Sequence, residues 1–206
     1  MYAKIVTKRY HDLIIPHGLN PMRTPRVPAR GLFLREPMRR DRVISFIDGF
    51  NLYHAITRLK QPHLNWVDLK NLSQCFVKSQ SEELIQILYF SALSTHTSEE
   101  NQIQQKAYIT AQKLCGVKVI LGQFKKKSRH CSLCLSHSIT HEAKETDVNI
   151  ALSLFELAYQ GAYDRAFLIS NDSDLAPAIK KVLEHFPHKK ITVVAPPLSR
   201  QGIGMC

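Results

Sequence analysis

Three short acidic segments stand where a folded α/β chain could perform chemistry. Two of them follow apolar, strand-like runs: Ile47-Asp48-Gly49-Phe50-Asn51 and Ser170-Asn171-Asp172-Ser173-Asp174. The third, Glu145-Thr146-Asp147, opens a helix-like run. Residues that follow parallel strands meet at one edge of the sheet, which is where α/β folds bind their ligands. We therefore expect four carboxylates to converge at that edge, those of Asp48, Asp147, Asp172 and Asp174.

Carboxylates that are held together repel one another unless a cation lies between them. Hard oxygen ligands suit Mg²⁺ or Mn²⁺, and such a cation assists the hydrolysis of phosphodiesters. The cysteines and serines show no histidine-paired arrangement of the triad type, so a nucleophilic side chain is not expected. The sequence thus predicts a metal-dependent phosphodiester hydrolase.

Each acidic segment also has a structural interpretation. Asp-Gly is a turn dipeptide, and Asn51 could cap a helix rather than bind Asp48 or a phosphate. Ser173 or Asp174 could cap the following helix, although capping explains only one residue of that segment. An acid in the first turn of a helix, such as Asp147, is favoured by the helix dipole without any metal.

The elements that position these acids follow from hydrophobic periodicity. Strands are predicted at Val43–Ile47, Leu84–Ala92, Val117–Leu121, Ala166–Ser170 and Ile191–Ala195, and helices at Asn51–Arg58, from an Asn65 cap to about Phe76, from Ser98 to about Leu114, at Thr146–Tyr159 and at Asp174–Phe186. This alternation predicts a three-layer α/β domain with a mainly parallel, five-stranded sheet. Residues 122–145 are expected to be irregular, Trp66 is assigned to the core, and no closing helix is expected after the fifth strand.

Positive charge is concentrated near the N-terminus. The 206-residue chain has a net charge of +11, and residues 1–42 hold ten Lys or Arg against three acids, which leaves +4 for residues 43–206. We predict a basic, Pro-containing, disordered extension over residues 1–41, the catalytic domain over 42–197 and a short irregular tail over 198–206. Five cysteines without a signal peptide favour a reducing, cytoplasmic location, with an organellar transit peptide as the alternative.

A basic and cysteine-containing segment precedes the third acidic motif. In order along the chain it holds Lys125, Lys126, Lys127, Arg129, Cys131, Cys134, His137 and His141. The two cysteines and two histidines could bind structural Zn²⁺, or the thiols could be free or form a reversible disulfide. The basic run could hold a phosphate backbone or be a solvated loop. The flanking Phe124 and His130 could stack on bases.

Taken in order, the three acidic segments resemble the signatures of the NYN domain, LabA-like branch, of the PIN-like nuclease superfamily. The resemblance covers about residues 42–197 and implies a PIN-like Rossmannoid fold with metal-dependent activity, usually directed at RNA. It also implies that Asp48, Asp147, Asp172 and Asp174 form the acidic site, supported by Asn51 and Ser170. Asn171 stands where the family often has glycine.

The favoured function is therefore a Mg²⁺- or Mn²⁺-dependent ribonuclease. The alternatives are an RNA- or partner-binding module of the same fold and a phosphohydrolase of small nucleotides. The expected partners are single-stranded or structured RNA and further copies of the chain. No membrane partner is expected, since no apolar run is long enough to span a bilayer.

Overall fold

The structure is a computed structural model that describes residues 7–9, 39–94, 97–130 and 137–196. Its strands are β1 (Thr7–Arg9), β2 (Asp41–Asp48), β3 (Glu82–Ala92), β4 (Lys118–His130), β5 (His137–Lys144), β6 (Arg165–Ile169) and β7 (Lys190–Val194). Its α-helices are α1 (Gly49–Arg58), α2 (Leu69–Gln74), α3 (Glu99–Leu114), α4 (Thr146–Tyr159) and α5 (Ala176–His185). Short 3-10 helices lie at Pro62–Trp66 and Ser173–Leu175.

The strands form one sheet in the order β1-β7-β6-β2-β3-β4-β5. The five central strands, β7 to β4, pair in parallel, whereas β1 and β5 add antiparallel pairs at the two edges. β2 lies at the centre between β6 and β3. The predicted three-layer α/β fold with a parallel five-stranded sheet is confirmed.

Two apolar clusters cover the two faces of this sheet. The alternation of side chains along β2 sends Ile44 and Phe46 to one face, where α4 and α5 pack, and Val43 and Ile47 to the other, where α1, α2 and α3 pack. All four side chains are fully buried. A strand that is buried on both faces explains why this run is apolar at almost every position.

Ion pairs hold the opposite end of the sheet, where β2 and β6 begin. The guanidinium of Arg42 contacts the carboxylate of Asp164 at 3.1 Å, and Arg165 binds Glu82 at 2.5 Å. At the edge of the same end, Lys190 binds Asp41 at 3.0 Å. Asp164, Glu82 and Asp41 at this end are therefore each paired with a cation.

Several local predictions differ from the structure. Residues 122–145, expected to be irregular, are largely β4 and β5, which pair antiparallel from Gln123–Lys144 to His130–His137. These two strands pair through backbone hydrogen bonds, which any sequence can form. Because the segment is basic and has no alternation of apolar residues, hydrophobic periodicity could not detect the strands. Thr7–Arg9, inside the expected disordered extension, pairs with β7. The division into extension, domain and tail stays a prediction.

Two further predictions concern the segment before α2. Asn65 does not cap that helix, because it lies in the 3-10 helix and the carboxylate of Asp68 accepts bonds from the first-turn amides instead. Trp66, assigned to the core from its type, is 55% exposed.

Within the ranges given above, no helix has the length and apolar character needed to cross a membrane. The expected lack of a closing helix falls outside them.

Candidate active site

Asp48 is the central carboxylate of the candidate site. It is the last residue of β2 and the N-cap of α1, and its side chain is only 3% exposed. One carboxylate oxygen accepts a hydrogen bond from the backbone N–H of Asn51 at 3.0 Å, and the other accepts one from the hydroxyl of Ser170 at 2.8 Å. The strand-to-helix switch thus fixes both oxygens of a buried acid.

Gly49 makes that switch geometrically feasible. A Cβ atom at this position would lie 2.6 Å from the carbonyl oxygen of Phe90 and 2.8 Å from the ring of Tyr89. Contacts this short would force the backbone of α1 away from β3. The glycine therefore lets α1 start directly against the sheet and keeps Asp48 at its edge.

The loop after β6 is tied to Asp48 through two side chains. The hydroxyl of Ser170 accepts the N–H of Asp172 at 3.0 Å while it donates to Asp48, and Asn51 Oδ1 accepts the N–H of Asn171 at 3.0 Å. Asn51 therefore positions the loop rather than capping α1. Asn171, where the resemblance implied that glycine is frequent, does not have a left-handed backbone, so its side chain is accommodated there without that strain.

Asp172 and Asp174 share a local turn. Asp172 Oδ1 accepts the N–H of Asp174 at 2.9 Å, which makes Asp172 the cap of the 3-10 helix at Ser173–Leu175. Sequence reasoning offered Ser173 or Asp174 for this role. Capping occupies one oxygen of Asp172 and leaves its second oxygen for other partners.

Asp147 comes from the first turn of α4. The chain enters this helix through Glu145, which adopts a left-handed backbone conformation with φ of 75°. The next residue, Thr146, is buried, and its hydroxyl has no hydrogen-bond partner within the described part of the chain. A buried hydroxyl without a partner is uncommon in folded proteins and here it borders the cleft described next.

A cleft of about 260 Å³ lies where these elements meet. Its walls are Asp48, Phe50, Asn51, His54, Ala55, Arg58, Thr146, Asp147, Asn171, Asp172 and Pro196. We call it the acid cleft. Three of the four predicted acids line it; Asp174 does not, although its charge is felt at Asp147.

The electrostatics of the acid cleft disfavour the charged forms of Asp147 and Asp48. Burial raises the pKa of Asp147, and the charges of Asp48, Asp172 and Asp174 raise it further. Burial also raises the pKa of Asp48, against the lowering effect of its bonds from Asn51 and Ser170. Like charges are therefore gathered here at a cost in free energy that a cation would relieve.

The donor set suits a divalent cation of the Mg²⁺ type by its chemistry. All the acidic donors are hard carboxylate oxygens, and the unpartnered hydroxyl of Thr146 adds another oxygen at the same cleft. Among the residues that the structure describes, however, no three His, Cys, Asp or Glu side chains are grouped tightly enough to hold a metal together. Mg²⁺ is commonly held by one or two carboxylates with water completing the shell, and this set fits that mode.

The remaining predicted site residues lie in or near the antiparallel hairpin. Lys125, Lys126, Lys127 and Arg129 belong to β4, and His137 and His141 belong to β5. Cys131 and Cys134 lie outside the described residues. The predicted zinc site and the predicted backbone contact of the basic run both stay predictions.

Two side chains of the acid cleft, His54 and Arg58, were not predicted. They extend from the face of α1 that also carries Asn51, at spacings of three and seven residues from it. These spacings place side chains on one face of a helix. The same spacing, counted from Asn51, which the sequence had already assigned to the site, would have identified both residues.

Comparisons with known proteins show what the chain is similar to. The model of the NYN domain family matches residues 42–201. A 55-residue stretch is 38% identical to 6-hydroxy-3-succinoylpyridine 3-monooxygenase HspA of Pseudomonas putida (strain DSM 28022 / S16); it is 27% of this chain and 17% of that relative's length. A protein of unknown function from Vibrio parahaemolyticus RIMD 2210633 has a crystal structure that aligns with a TM-score of 0.48 at 18% identity, over 77% of this chain and 82% of that one.

Proposed function

The chain belongs to the NYN domain family, and we propose that it is a metal-dependent ribonuclease whose active site is the acid cleft. The family implies a PIN-like nuclease fold. The observation that carries the proposal is that Asp48, Asp147 and Asp172, from three separate elements, line one cleft. The raised pKa of Asp147 agrees with this crowding of carboxylates. The finer placement in the LabA-like branch is part of the proposal.

Asp48 and Asp172 are the residues that would hold Mg²⁺ or Mn²⁺, because they line the acid cleft and each is fixed by backbone or hydroxyl donors. A bound divalent cation supplies positive charge that offsets the phosphodiester and acidifies water. Ser170 keeps Asp48 oriented by donating to it, and Asn51 keeps the loop of Asp172 in register.

Asp147 is the proposed proton acceptor. It is the more exposed of the acids whose pKa is raised, so water reaches its carboxylate oxygens more readily than those of Asp48. A carboxylate with a raised pKa accepts a proton from an attacking water more effectively near neutral pH. Arg58, at the wall of the acid cleft, could contact a non-bridging phosphate oxygen.

RNA is the proposed substrate because of the family and the charge of the chain. The net charge of +11 favours a polyanion, and the basic residues of β4 lie in the hairpin that leads into α4. The name of the monooxygenase relative describes that protein, and the short shared stretch carries no activity over to this one. A binding module of the same fold is the second candidate.

Cleavage of a labelled single-stranded RNA with Mn²⁺ tests the proposal. We expect the full chain to cleave it, EDTA to stop the reaction, and Asp48→Asn to slow it by about 100-fold or more, since outer-shell partners alone cost about 10- to 100-fold. Asp41→Asn, at the opposite end of the sheet, is the matched control and should cleave normally. Equal cleavage by Asp48→Asn and the parent would contradict the proposal, whereas RNA binding without cleavage would favour the binding module.

A further inference from the structure

A second and larger depression adjoins the acid cleft. It measures about 480 Å³ and lies between α1, the 3-10 helix at Pro62–Trp66 and α3. Pockets that bind small ligands span about 300 to 1,000 Å³. Phe50 and His54 line both depressions, so a ligand could extend from one to the other. We call this second depression the aromatic groove.

Aromatic rings form the walls of the groove, and two of them are presented to solvent. Trp66 is 55% exposed and Tyr53 is 54% exposed. The rings of Trp66 and Tyr108 make an edge contact, with their centroids 6.1 Å apart. The hydroxyl of Tyr108 donates a hydrogen bond to the carbonyl of Val67 at 2.9 Å. Trp66 and Tyr53 are thus both more than half exposed, although aromatic side chains bury a large apolar surface when they pack in a core.

The described lining of the groove carries no Lys, Arg, Asp or Glu. Its polar groups are mainly amides and hydroxyls. The amide of Gln105 is engaged, since it accepts from the N–H of Ser94 and donates to the carbonyl of Ala92. Asn65, Asn101 and Gln104 are exposed amides at the same groove.

These features define the chemistry of the ligand. Exposed ring faces stack on a flat aromatic group, and amides offer both donors and acceptors to the edge of such a group. A neutral lining suits an uncharged part of the ligand rather than its phosphates. A nucleobase meets these requirements, and the adjoining acid cleft is where its phosphate would be handled.

We propose that the aromatic groove binds an unpaired nucleobase of single-stranded RNA, next to the phosphodiester that occupies the acid cleft. This inference rests on the proposed function for the identity of the neighbouring cleft. In an RNA duplex the base faces are stacked and the pairing edges are occupied, so a duplex cannot present a base to Trp66. The groove therefore selects single-stranded RNA.

Trp66 is the sole tryptophan of the chain, so its fluorescence reports directly on the groove. Titration with a short oligoadenylate in EDTA measures binding without metal and without turnover. We expect the oligomer to quench Trp66 emission, and we expect an abasic ribose-phosphate oligomer of equal length and a perfect duplex to leave it unchanged. Emission that ignores the oligoadenylate, or that responds equally to the abasic oligomer, would overturn the proposal.

Variants at the groove add a second measurement, by anisotropy of labelled oligoadenylate. Trp66→Ala should weaken binding by roughly 5- to 150-fold, the range measured for loss of one base stack, while Trp66→Phe should retain most of the affinity. Tyr159→Ala removes a ring that is 77% exposed on α4 and lines neither depression, and should bind like the parent. Circular dichroism confirms that each variant is folded. Unchanged affinity in folded Trp66→Ala would overturn the proposal.

The two proposals fail in different ways. Quenching by oligoadenylate in a chain that never cleaves RNA supports the groove and removes the ribonuclease assignment. RNA cleavage without quenching of Trp66, together with normal affinity in Trp66→Ala, supports the ribonuclease assignment and overturns the groove. Adenosine monophosphate that binds as tightly as the oligomer would overturn single-stranded RNA as the occupant and indicate a free nucleotide instead.

Discussion

At the scale of single residues, Asp147 is the most informative carboxylate of the acid cleft. Burial and the charges of three neighbouring acids raise its pKa in the folded chain. A folded-state pKa above the unfolded value means that the charged form is disfavoured in the fold. The contribution of this group to the free energy of unfolding is therefore fully present at a pH below the ordinary aspartate pKa of about 4. It is lost as the pH rises through the raised pKa of the folded chain.

Asp147→Asn should consequently raise the melting temperature at pH 7 when divalent cations are absent, because the variant removes a charge that the fold disfavours. The gain should be a few degrees and should shrink as the pH falls toward 4, where the parent becomes neutral at this position. Melting curves in EDTA between pH 7 and pH 4.5 measure it. Asp41→Asn breaks an exposed pair with Lys190 and should show no gain; a lower melting temperature for Asp147→Asn at pH 7 would contradict the electrostatic account.

The convergence of Asp48, Asp147 and Asp172 on one cleft could be predicted because each follows a strand or opens a helix, and parallel strands bring such positions to one edge. Asp174, expected at the same edge, does not line the cleft. The roles of their neighbours could not. Asn51 was open between a cap and a ligand contact, and only the structure shows that its side chain holds the N–H of Asn171. The unpartnered hydroxyl of Thr146 depends on packing between elements that no local pattern encodes.

At the scale of elements, the junction of β2 and α1 determines whether the site can form. Gly49→Ala should lower the free energy of unfolding by about 1–3 kcal/mol, the usual range for overpacking, because the new methyl group would meet the carbonyl of Phe90. RNA cleavage should also fall, because Asp48 is adjacent. Urea unfolding and the cleavage assay provide the two measurements.

Gly116→Ala is the matched control for that junction. A Cβ at Gly116 meets nothing within 4 Å, although its φ of +87° makes a side chain unfavourable there. This variant should lose roughly 1–2 kcal/mol of stability because a residue with a Cβ is strained at positive φ. It should keep its cleavage activity, since Gly116 lies in the turn before β4. Normal cleavage in Gly49→Ala would show that the tight junction is not required by the site.

The α-helices and the strands β2, β3, β6 and β7 were predictable to within a few residues from their apolar patterns, whereas β4 was expected to end at Leu121 and runs to His130. Thr146–Tyr159 agrees at both ends with α4. The hairpin of β4 and β5 was missed because its strands are paired through backbone groups, and Trp66 was misassigned because residue type predicts burial only on average. That misassigned ring is the one on which the aromatic groove depends.

At the scale of the whole molecule, much of the positive charge and the candidate acids lie in different parts of the sequence. Residues 1–37 contain seven of the Lys and Arg residues, and the four acids of the site lie after them. A chain that starts at Met38 loses β1 but keeps the five parallel strands. We expect it to cleave RNA at saturating concentration and to bind RNA with a weaker salt dependence, since about 0.7 of a counterion is released per phosphate neutralised on single strands.

The affinity for RNA, measured between roughly 50 and 300 mM salt, tests this expectation, because counterion release changes the affinity strongly over this range. The slope of log affinity against log salt should be shallower in the shortened chain. An unfolded or inactive product at saturating RNA would show that the N-terminal residues are part of the domain. An unchanged slope would show that they do not contact phosphates.

The carboxylates of Asp48 at the end of β2 and Asp172 in the loop after β6 are proposed to bind one divalent cation together, and a Mn²⁺ melting titration tests this claim most directly. A ligand that binds only the folded state raises the free energy of unfolding, by about 2.7 kcal/mol when its concentration is a hundred times the dissociation constant. The melting temperature therefore rises with the ligand concentration. We predict such a rise for the parent and for Asp41→Asn, and its loss in Asp172→Asn. A parent melting curve that ignores millimolar Mn²⁺, or an Asp172→Asn variant that responds like the parent, would contradict the claim.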